Sequence, residues 1–231
     1  VNGALGIARP FTKAPALEKS LLERHRVLDE LLTRSGITSV IELAAGLSQR
    51  GITFTEDPGI RYVEIDLPNM IEAKRKILAT TERGCAALER QNFQMVEGDI
   101  ASIDLGEIAR KDAPVFVIAE GLLMYLDDTA QNKLFRAIAD RLVRHGGAFA
   151  FDLLPQCEQK KPGVVGRGLG KAMKFFTRGG EFVRDERTRH DIARSLDSAG
   201  FANVELISPC PEQLIFSCIA KSTDARAFSA S

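Results

Sequence analysis

The fold of this chain is decided by the stretch Val40-Ile-Glu-Leu-Ala-Ala-Gly-Leu-Ser-Gln-Arg50 and by Tyr62-Val-Glu-Ile-Asp-Leu-Pro68, which follows it. Each opens with an apolar run of strand length. The first run enters a turn of small residues, and the second ends in Asp66, twenty residues after Gly46. In open parallel sheets this arrangement holds a backbone turn and a carboxylate beside an adenosine-containing cofactor. The pattern predicts such a cofactor at the carboxyl edge of a sheet.

Short apolar runs alternate with helical patterns along the rest of the chain, and several lack polar alternation, as in strands buried on both faces. This order predicts an α/β fold, a doubly wound, seven-stranded, mostly parallel sheet with an antiparallel edge strand. The predicted strands are Val40–Leu43, Tyr62–Ile65, Phe93–Val96, Val115–Ala119, Ala148–Leu153, Val204–Ile207 and Leu214–Ile219. The predicted helices are Ala16–Thr33, Met70–Glu89, Thr129–Val143 and Thr188–Ala199.

The length of 231 residues and the 45% hydrophobic content suit one domain, 1–231, with a substantial core. Residues 1–35 are expected to form an N-terminal helical cap. The segment 155–190 is rich in glycine and in basic residues. We interpret it as a substrate lid within the same domain. A solvated loop with a surface helix is the alternative.

Composition excludes several classes of function. The 31 basic and 31 acidic side chains give a net charge of zero, so no overall field attracts nucleic acid or an anionic membrane. The four cysteines are far apart, which argues against a metal site and suits a reducing compartment. The apolar runs are too short to span a bilayer. We expect a cytoplasmic protein without a metal, nucleic-acid or membrane partner; the pattern leaves its oligomeric state open.

The glycines of the first turn discriminate between cofactors. A dinucleotide site needs three glycines for a tight turn, close approach of a pyrophosphate and helix packing. This chain has Ala44, Gly46 and Gln49 at those positions, so pyrophosphate binding is poorly supported. S-adenosylmethionine has the adenosine but no phosphate, and the sequence favours it. A nicotinamide-dependent oxidoreductase is the alternative.

Further polar residues follow the other predicted strands, at the sheet edge where ligands of such folds bind. Asp66 is expected to accept hydrogen bonds from the ribose hydroxyls, with a turn or N-cap role as the alternative. Asp99 and Ile100 are candidates for the adenine. Glu120 ends the fourth run, and a buried carboxylate there requires a partner. Tyr125 is a candidate for orienting the substrate or for core packing.

Four ordered segments make a resemblance specific. Glu42-Leu-Ala-Ala-Gly-Leu-Ser-Gln-Arg50, Glu64-Ile-Asp-Leu-Pro68 with Lys74 beyond it, Gly98-Asp99-Ile100 and Ala119-Glu120-Gly-Leu-Leu-Met-Tyr-Leu126 resemble the signature segments of the leucine carboxyl methyltransferase-like family. That family includes protein phosphatase methyltransferases and bacterial polyketide-tailoring O-methyltransferases. The resemblance implies a class I methyltransferase fold with S-adenosylmethionine as the methyl donor.

The resemblance also implies roles for individual residues. It places an arginine of the first helix against the methionine carboxylate; Arg24 is the nearest match, with Lys19 and Arg26 as alternatives. The family turn usually reads Gly-Ala-Gly-Leu-Asp-Thr-Arg, so Ala44 and the pair Ser48-Gln49 are departures. The implied cofactor-binding residues are Arg24, Glu42, Ala44, Gly46, Asp66, Asp99, Ile100 and Glu120.

The methyl acceptor is less constrained. A carboxylate is ionised at neutral pH and needs no base, whereas a phenol usually needs one. None of His25, His145 and His190 has an acidic partner in a motif, although His190 is the first candidate base if one is used. Basic residues of the 155–190 segment are suited to an anionic substrate. We therefore expect an O-methyltransferase that acts on a small-molecule carboxylate; a non-catalytic S-adenosylmethionine-binding protein is a further alternative.

Overall fold

The structure is a computed structural model that describes residues 14–100, 108, 113–153, 186–209 and 214–221. Its helices are α1 (Ala14–Ser35), α2 (Arg50–Phe54), α3 (Pro68–Leu78), α4 (Glu82–Leu88), α5 (Asp128–His145) and α6 (Arg189–Ala199), with a 3-10 turn at Leu123–Tyr125. Its strands are β1 (Ser39–Leu43), β2 (Arg61–Asp66), β3 (Phe93–Glu97), β4 (Val115–Ala119), β5 (Gly147–Asp152), β6 (Phe201–Ile207) and β7 (Ile215–Ala220).

The seven strands form one sheet in the order β3-β2-β1-β4-β5-β7-β6. Strands β1 to β5 pair in parallel, and β7 runs antiparallel to both of its neighbours, β5 and β6. The prediction of a doubly wound α/β sheet closed by an antiparallel pair is therefore confirmed. The reversed strand is β7, which lies one position in from the edge strand β6.

The central strands are buried on both faces because helices cover both faces of the sheet. All five residues of β4 are buried, as are all five of β1. Two buried apolar clusters flank the sheet; one contains Phe135 and Phe149, and the other contains Leu28 and Tyr62. This packing fixes the strands, and hence the positions at which they end.

The sequence prediction of a single helix over Met70–Glu89 is wrong. The segment forms α3 and α4 with a break at Ala79–Thr81, because the Thr81 hydroxyl accepts a hydrogen bond from the Gly84 N–H and caps a new helix. The short helix α2 was not predicted. It begins at Arg50, at the end of the turn that follows β1.

The predicted subdivisions of the chain are only partly within the described residues. Helix α1 lies within the predicted cap 1–35, whereas residues 1–13 lie outside the description. Most of the predicted lid, residues 155–185, also lies outside it. Both subdivisions and the cytoplasmic location stay predictions. In the described part of the chain, none of the helices combines the length and the apolar character that a membrane span requires.

Candidate functional site

The carboxyl ends of β1, β2, β4 and β5 bring the candidate site together at one edge of the sheet. Strand β1 lies between β2 and β4, and β5 follows β4. The turn after β1 therefore faces Asp66 at the end of β2 on one side. On its other side are Glu120, which follows β4, and Asp152 at the end of β5.

The turn after β1 has an unusual backbone. Ala44 has a φ of 52° and Gly46 a φ of 53°, both in the left-handed region. This region costs a residue with a Cβ about 1–2 kcal/mol, which explains why the family usually has glycine at the position of Ala44. A Cβ built on Gly46 would meet no atom within 4 Å, so the space in front of the turn is open.

Asp66 holds this turn. Its Oδ2 accepts a hydrogen bond from the Gly46 backbone N–H at 2.7 Å, and its Oδ1 accepts one from the Leu67 N–H at 2.7 Å. Asp66 is not an N-cap, because the residue at the N-cap of α3 is Leu67. A carboxylate has about four acceptor positions, so hydrogen bonds from ribose hydroxyls are compatible with these two.

Hydrogen bonds of Ser48 and Lys74 also hold the turn after β1 in place. The Ser48 hydroxyl accepts from the Arg50 backbone N–H at 3.2 Å, which supports the start of α2. Lys74 donates from Nζ to the Ser48 carbonyl at 2.5 Å and lies 2.5 Å from Glu64 Oε2. Burial raises the pKa of Glu64, against the opposing effect of Lys74. Lys74 therefore joins α3 to the turn.

Arg24 of α1 bridges the ends of β4 and β5. Its Nε donates to Glu120 Oε1 at 2.9 Å, and its Nη1 donates to Asp152 Oδ2 at 2.9 Å. The other Asp152 oxygen, Oδ1, accepts from the Gly121 N–H at 2.5 Å. Gly121 itself has a φ of 68°, which suits glycine. The structure thus brings Arg24 to the predicted site; Lys19 is exposed.

Arg50 lies at the centre of a network of ion pairs that includes Glu120. Its side chain is fully buried, and it donates to Glu42 at 2.5 Å, to Asp29 at 2.5 Å and to Glu120 at 2.7 Å. The Tyr62 hydroxyl donates to the second oxygen of Glu42 at 2.8 Å. Burial lowers the pKa of Arg50, but Glu42 and the other acidic partners outweigh it and raise that pKa. Glu42 therefore faces Arg50 and Tyr62.

Glu120 is ionised because of its neighbours. Burial raises its pKa, but the hydrogen bond with His25 and the guanidinium groups of Arg50 and Arg24 outweigh burial and lower that pKa to about 2. His25 Nδ1 lies 3.1 Å from Glu120 Oε2 and 2.8 Å from Arg50 Nη2. The hydrogen bond with Glu120 raises the pKa of His25.

The remaining predicted residues have different surroundings. Asp99 is exposed, and Ile100 is half-buried against the core. Tyr125 is half-buried in the 3-10 turn; burial raises its pKa, and the charges of Arg24 and Asp152 act on it. His190 is exposed in the first turn of α6. The basic residues Lys160, Lys161, Arg167, Lys171, Lys174 and Arg178 lie outside the described residues.

Arg50 and Asp152 are residues of this site whose roles were not predicted from the sequence. Arg50 is the last residue of the first signature segment, and nothing in that segment indicates its partners. Asp152 ends an apolar run, as Asp66 and Glu120 do, so the same positional signal could have found it. The ion pair with Arg24 has no such signal, because 128 residues separate the partners.

The sheet order and the polar edge at β1, β2 and β4 define the fold of a class I methyltransferase. The family model for leucine carboxyl methyltransferase matches residues 7–139, more than half of the chain. The chain belongs to the leucine carboxyl methyltransferase family. The predicted family and its class, the S-adenosylmethionine-dependent methyltransferases, are thereby confirmed.

Relatives and solved structures agree with this assignment. A protein of Mycobacterium marinum named "Putative S-adenosyl-L-methionine-dependent methyltransferase" is 33% identical over 165 residues, which cover 67% of this chain and 52% of the relative. A Mycobacterium tuberculosis protein of the same name is 37% identical over 120 residues, 50% of this chain and 39% of the relative. The chain spans about half the length of the first of these relatives.

Solved structures share the fold at low sequence identity. An O-methyltransferase family protein from Burkholderia thailandensis has a TM-score of 0.61 at 20% identity, over 86% of this chain and 55% of that chain. PigF, solved with SAH, has a TM-score of 0.55 at 18% identity, over 80% of this chain and 51% of its own. At this identity the comparison supports the fold.

Proposed function

We propose that this chain binds S-adenosylmethionine along the carboxyl edge of β1, β2 and β4 and transfers its methyl group to an oxygen of a small molecule. The main support is that one edge of the sheet brings together the turn at Ala44–Gly46, Asp66 and Glu120, with open space at Gly46. The family's class and the neighbour solved with SAH support the same cofactor.

Each part of the cofactor has a proposed partner. Asp66 accepts from the ribose hydroxyls with the acceptor positions that Gly46 and Leu67 leave. Asp99 receives the adenine amino group, and Ile100 supplies its backbone amide and an apolar side for the ring. At the methionine end, ionised Glu120 pairs with the ammonium group, and Arg24 with the carboxylate.

We further propose a carboxylate as the acceptor. The family's own name refers to a carboxyl group. Within the described residues, both ring nitrogens of His25 are already engaged, Nδ1 by Glu120 and Arg50 and Nε2 by Asp29 at 3.7 Å, and His190 is exposed, so neither is proposed as the base. A carboxylate does not require one, because it is already ionised at neutral pH.

The proposed step is an in-line displacement. A carboxylate oxygen attacks the methyl carbon, the new O–CH3 bond forms as the S–CH3 bond breaks, and the electron pair stays on the sulfur of S-adenosylhomocysteine. The positive sulfonium and the negative carboxylate both become neutral, and no proton moves. The chain's contribution is to hold the reactants at near-attack distance and to exclude water.

The test is a labelled-methyl assay with S-adenosylmethionine and a panel of carboxylic acids, each matched with a phenol or alcohol of similar shape. Mild alkali then separates the products, because it releases methanol from methyl esters but not from methyl ethers. We expect labelled methanol from acids. Alkali-stable product from phenols would contradict the carboxylate acceptor, and S-adenosylmethionine binding without any transfer would indicate a non-catalytic binding protein.

A further inference from the structure

We propose that Asp152 is a positioning residue that fixes the Arg24 guanidinium against the amino-acid end of the cofactor, a role that rests on the proposed binding of S-adenosylmethionine. Asp152 sets the affinity for that end of the ligand through Arg24, and adenosine recognition does not depend on it.

The position of Asp152 follows from strand register. Ala119 of β4 pairs with Phe151 of β5, so the residues that come next, Glu120 and Asp152, lie side by side at the carboxyl edge. The Asp152 side chain is 8% exposed. Its two oxygens accept from different donors, the Gly121 backbone N–H and Arg24 Nη1. Asp152 thus joins the turn after β4 to helix α1.

The two carboxylates together fix the plane of the guanidinium. Glu120 accepts a hydrogen bond from Nε and Asp152 accepts one from Nη1, each at 2.9 Å. Among the described residues, these two hydrogen bonds use Nε and Nη1 and leave Arg24 Nη2 to a ligand. It lies over the turn at Gly121, where an added Cβ would be 3.8 Å away. A second anchor removes rotational freedom from a long side chain and so prepares Nη2 to receive a ligand carboxylate.

The charges of Asp152 and Arg24 depend on each other. Burial raises the pKa of Asp152, and Arg24 and the Gly121 N–H act against burial. A buried carboxylate without its cation is costly, as is a cation without its carboxylate. Removal of either partner therefore disturbs the other, and the two residues are expected to show strong coupling.

The test uses a matched pair of ligands. S-adenosylhomocysteine and 5′-methylthioadenosine are both neutral at sulfur and share the adenosine, but only the first has the amino-acid part. For Asp152→Asn, calorimetry should show S-adenosylhomocysteine affinity reduced roughly tenfold or more, the size expected for a hydrogen bond to a charged group. Affinity for 5′-methylthioadenosine should be unchanged. Equal losses for both ligands would contradict the proposal, because a general collapse of the site would affect both.

A double-mutant cycle with Arg24→Ala completes the test. Adding Asp152→Asn to Arg24→Ala should cost no further affinity for S-adenosylhomocysteine, because Asp152 acts through Arg24. A loss of the same size in both backgrounds would overturn the proposal. If Asp152→Asn does not fold, Asp152→Glu, which keeps the charge but moves it by one methylene, gives the same comparison. No binding of S-adenosylmethionine to the wild type would instead refute the proposed function.

Discussion

Arg50 Nη2 lies 2.7 Å from Glu120 Oε2, although 70 residues separate the two in sequence. The pair connects the first residue of α2 to the end of β4, beneath the turn that we assign to the cofactor. The Arg50 side chain is fully buried. The position of Glu120, which we propose for the methionine end of the cofactor, thus depends on a residue that has no access to solvent.

Replacement of Arg50 by Met should be among the most destabilising single changes in the chain. It leaves Glu42 buried without its cation, for which the expected cost is about 3–5 kcal/mol in the free energy of unfolding. Urea denaturation monitored by circular dichroism measures it. Arg26→Met is the matched control, because Arg26 forms exposed ion pairs with Glu23 and Glu30 and should cost little. Similar losses for both variants would contradict the network.

Ala44→Gly should stabilise the protein. Ala44 has a φ of 52°, and glycine removes the strain of its Cβ, a gain of about 1 kcal/mol after the entropy cost of glycine is subtracted. Thermal unfolding measures the change. The neighbour Ala45 is buried and has no positive φ, so Ala45→Gly should be destabilising. A loss of stability at both positions would show that Ala44 is not strained.

The stability contributed by His25 should depend on pH. Because its pKa is raised in the folded state, the contribution is fully present below the unfolded pKa of about 6.5 and is lost as the pH rises through the folded value. The charged groups that face His25 are Glu120, Asp29 and Arg50.

His25→Gln should therefore cost more stability at about pH 5.5 than at about pH 8, where neutral His25 can accept from Arg50 through Nδ1. Urea denaturation at both values measures the difference. A cost that is the same at the two pH values, or larger at the higher one, would mean that protonated His25 does not stabilise the fold.

Much of the fold was predictable because its information is local. Strands such as Val115–Ala119 are recognisable as uninterrupted apolar runs, and strand ends place Asp66 and Glu120 at one edge without knowledge of distant contacts. The break between α3 and α4 was missed, because it depends on whether the Thr81 hydroxyl caps a helix or stays on the surface of a longer one.

The partners within the site were less predictable. Which of the basic residues of α1 meets the carboxylates depends on the angle at which the helix packs on the sheet. In the structure, Arg24 lies between Glu120 and Asp152. Arg26 is exposed and pairs with Glu23 and Glu30. The backbone strain at Ala44 was also not predictable from the sequence, because only the φ angle shows it.

Binding of S-adenosylmethionine along this sheet edge is tested by calorimetry, which measures the affinity of the wild type, Asp66→Ala and Glu97→Ala for this cofactor. Glu97 is the matched control, because it pairs with Asp66 in the strand register at the end of β3 but is exposed. We expect binding to the wild type, a loss of about 1.5–3 kcal/mol for Asp66→Ala and no change for Glu97→Ala. Wild-type affinity in Asp66→Ala, or binding of a nicotinamide dinucleotide in place of S-adenosylmethionine, would contradict this expectation.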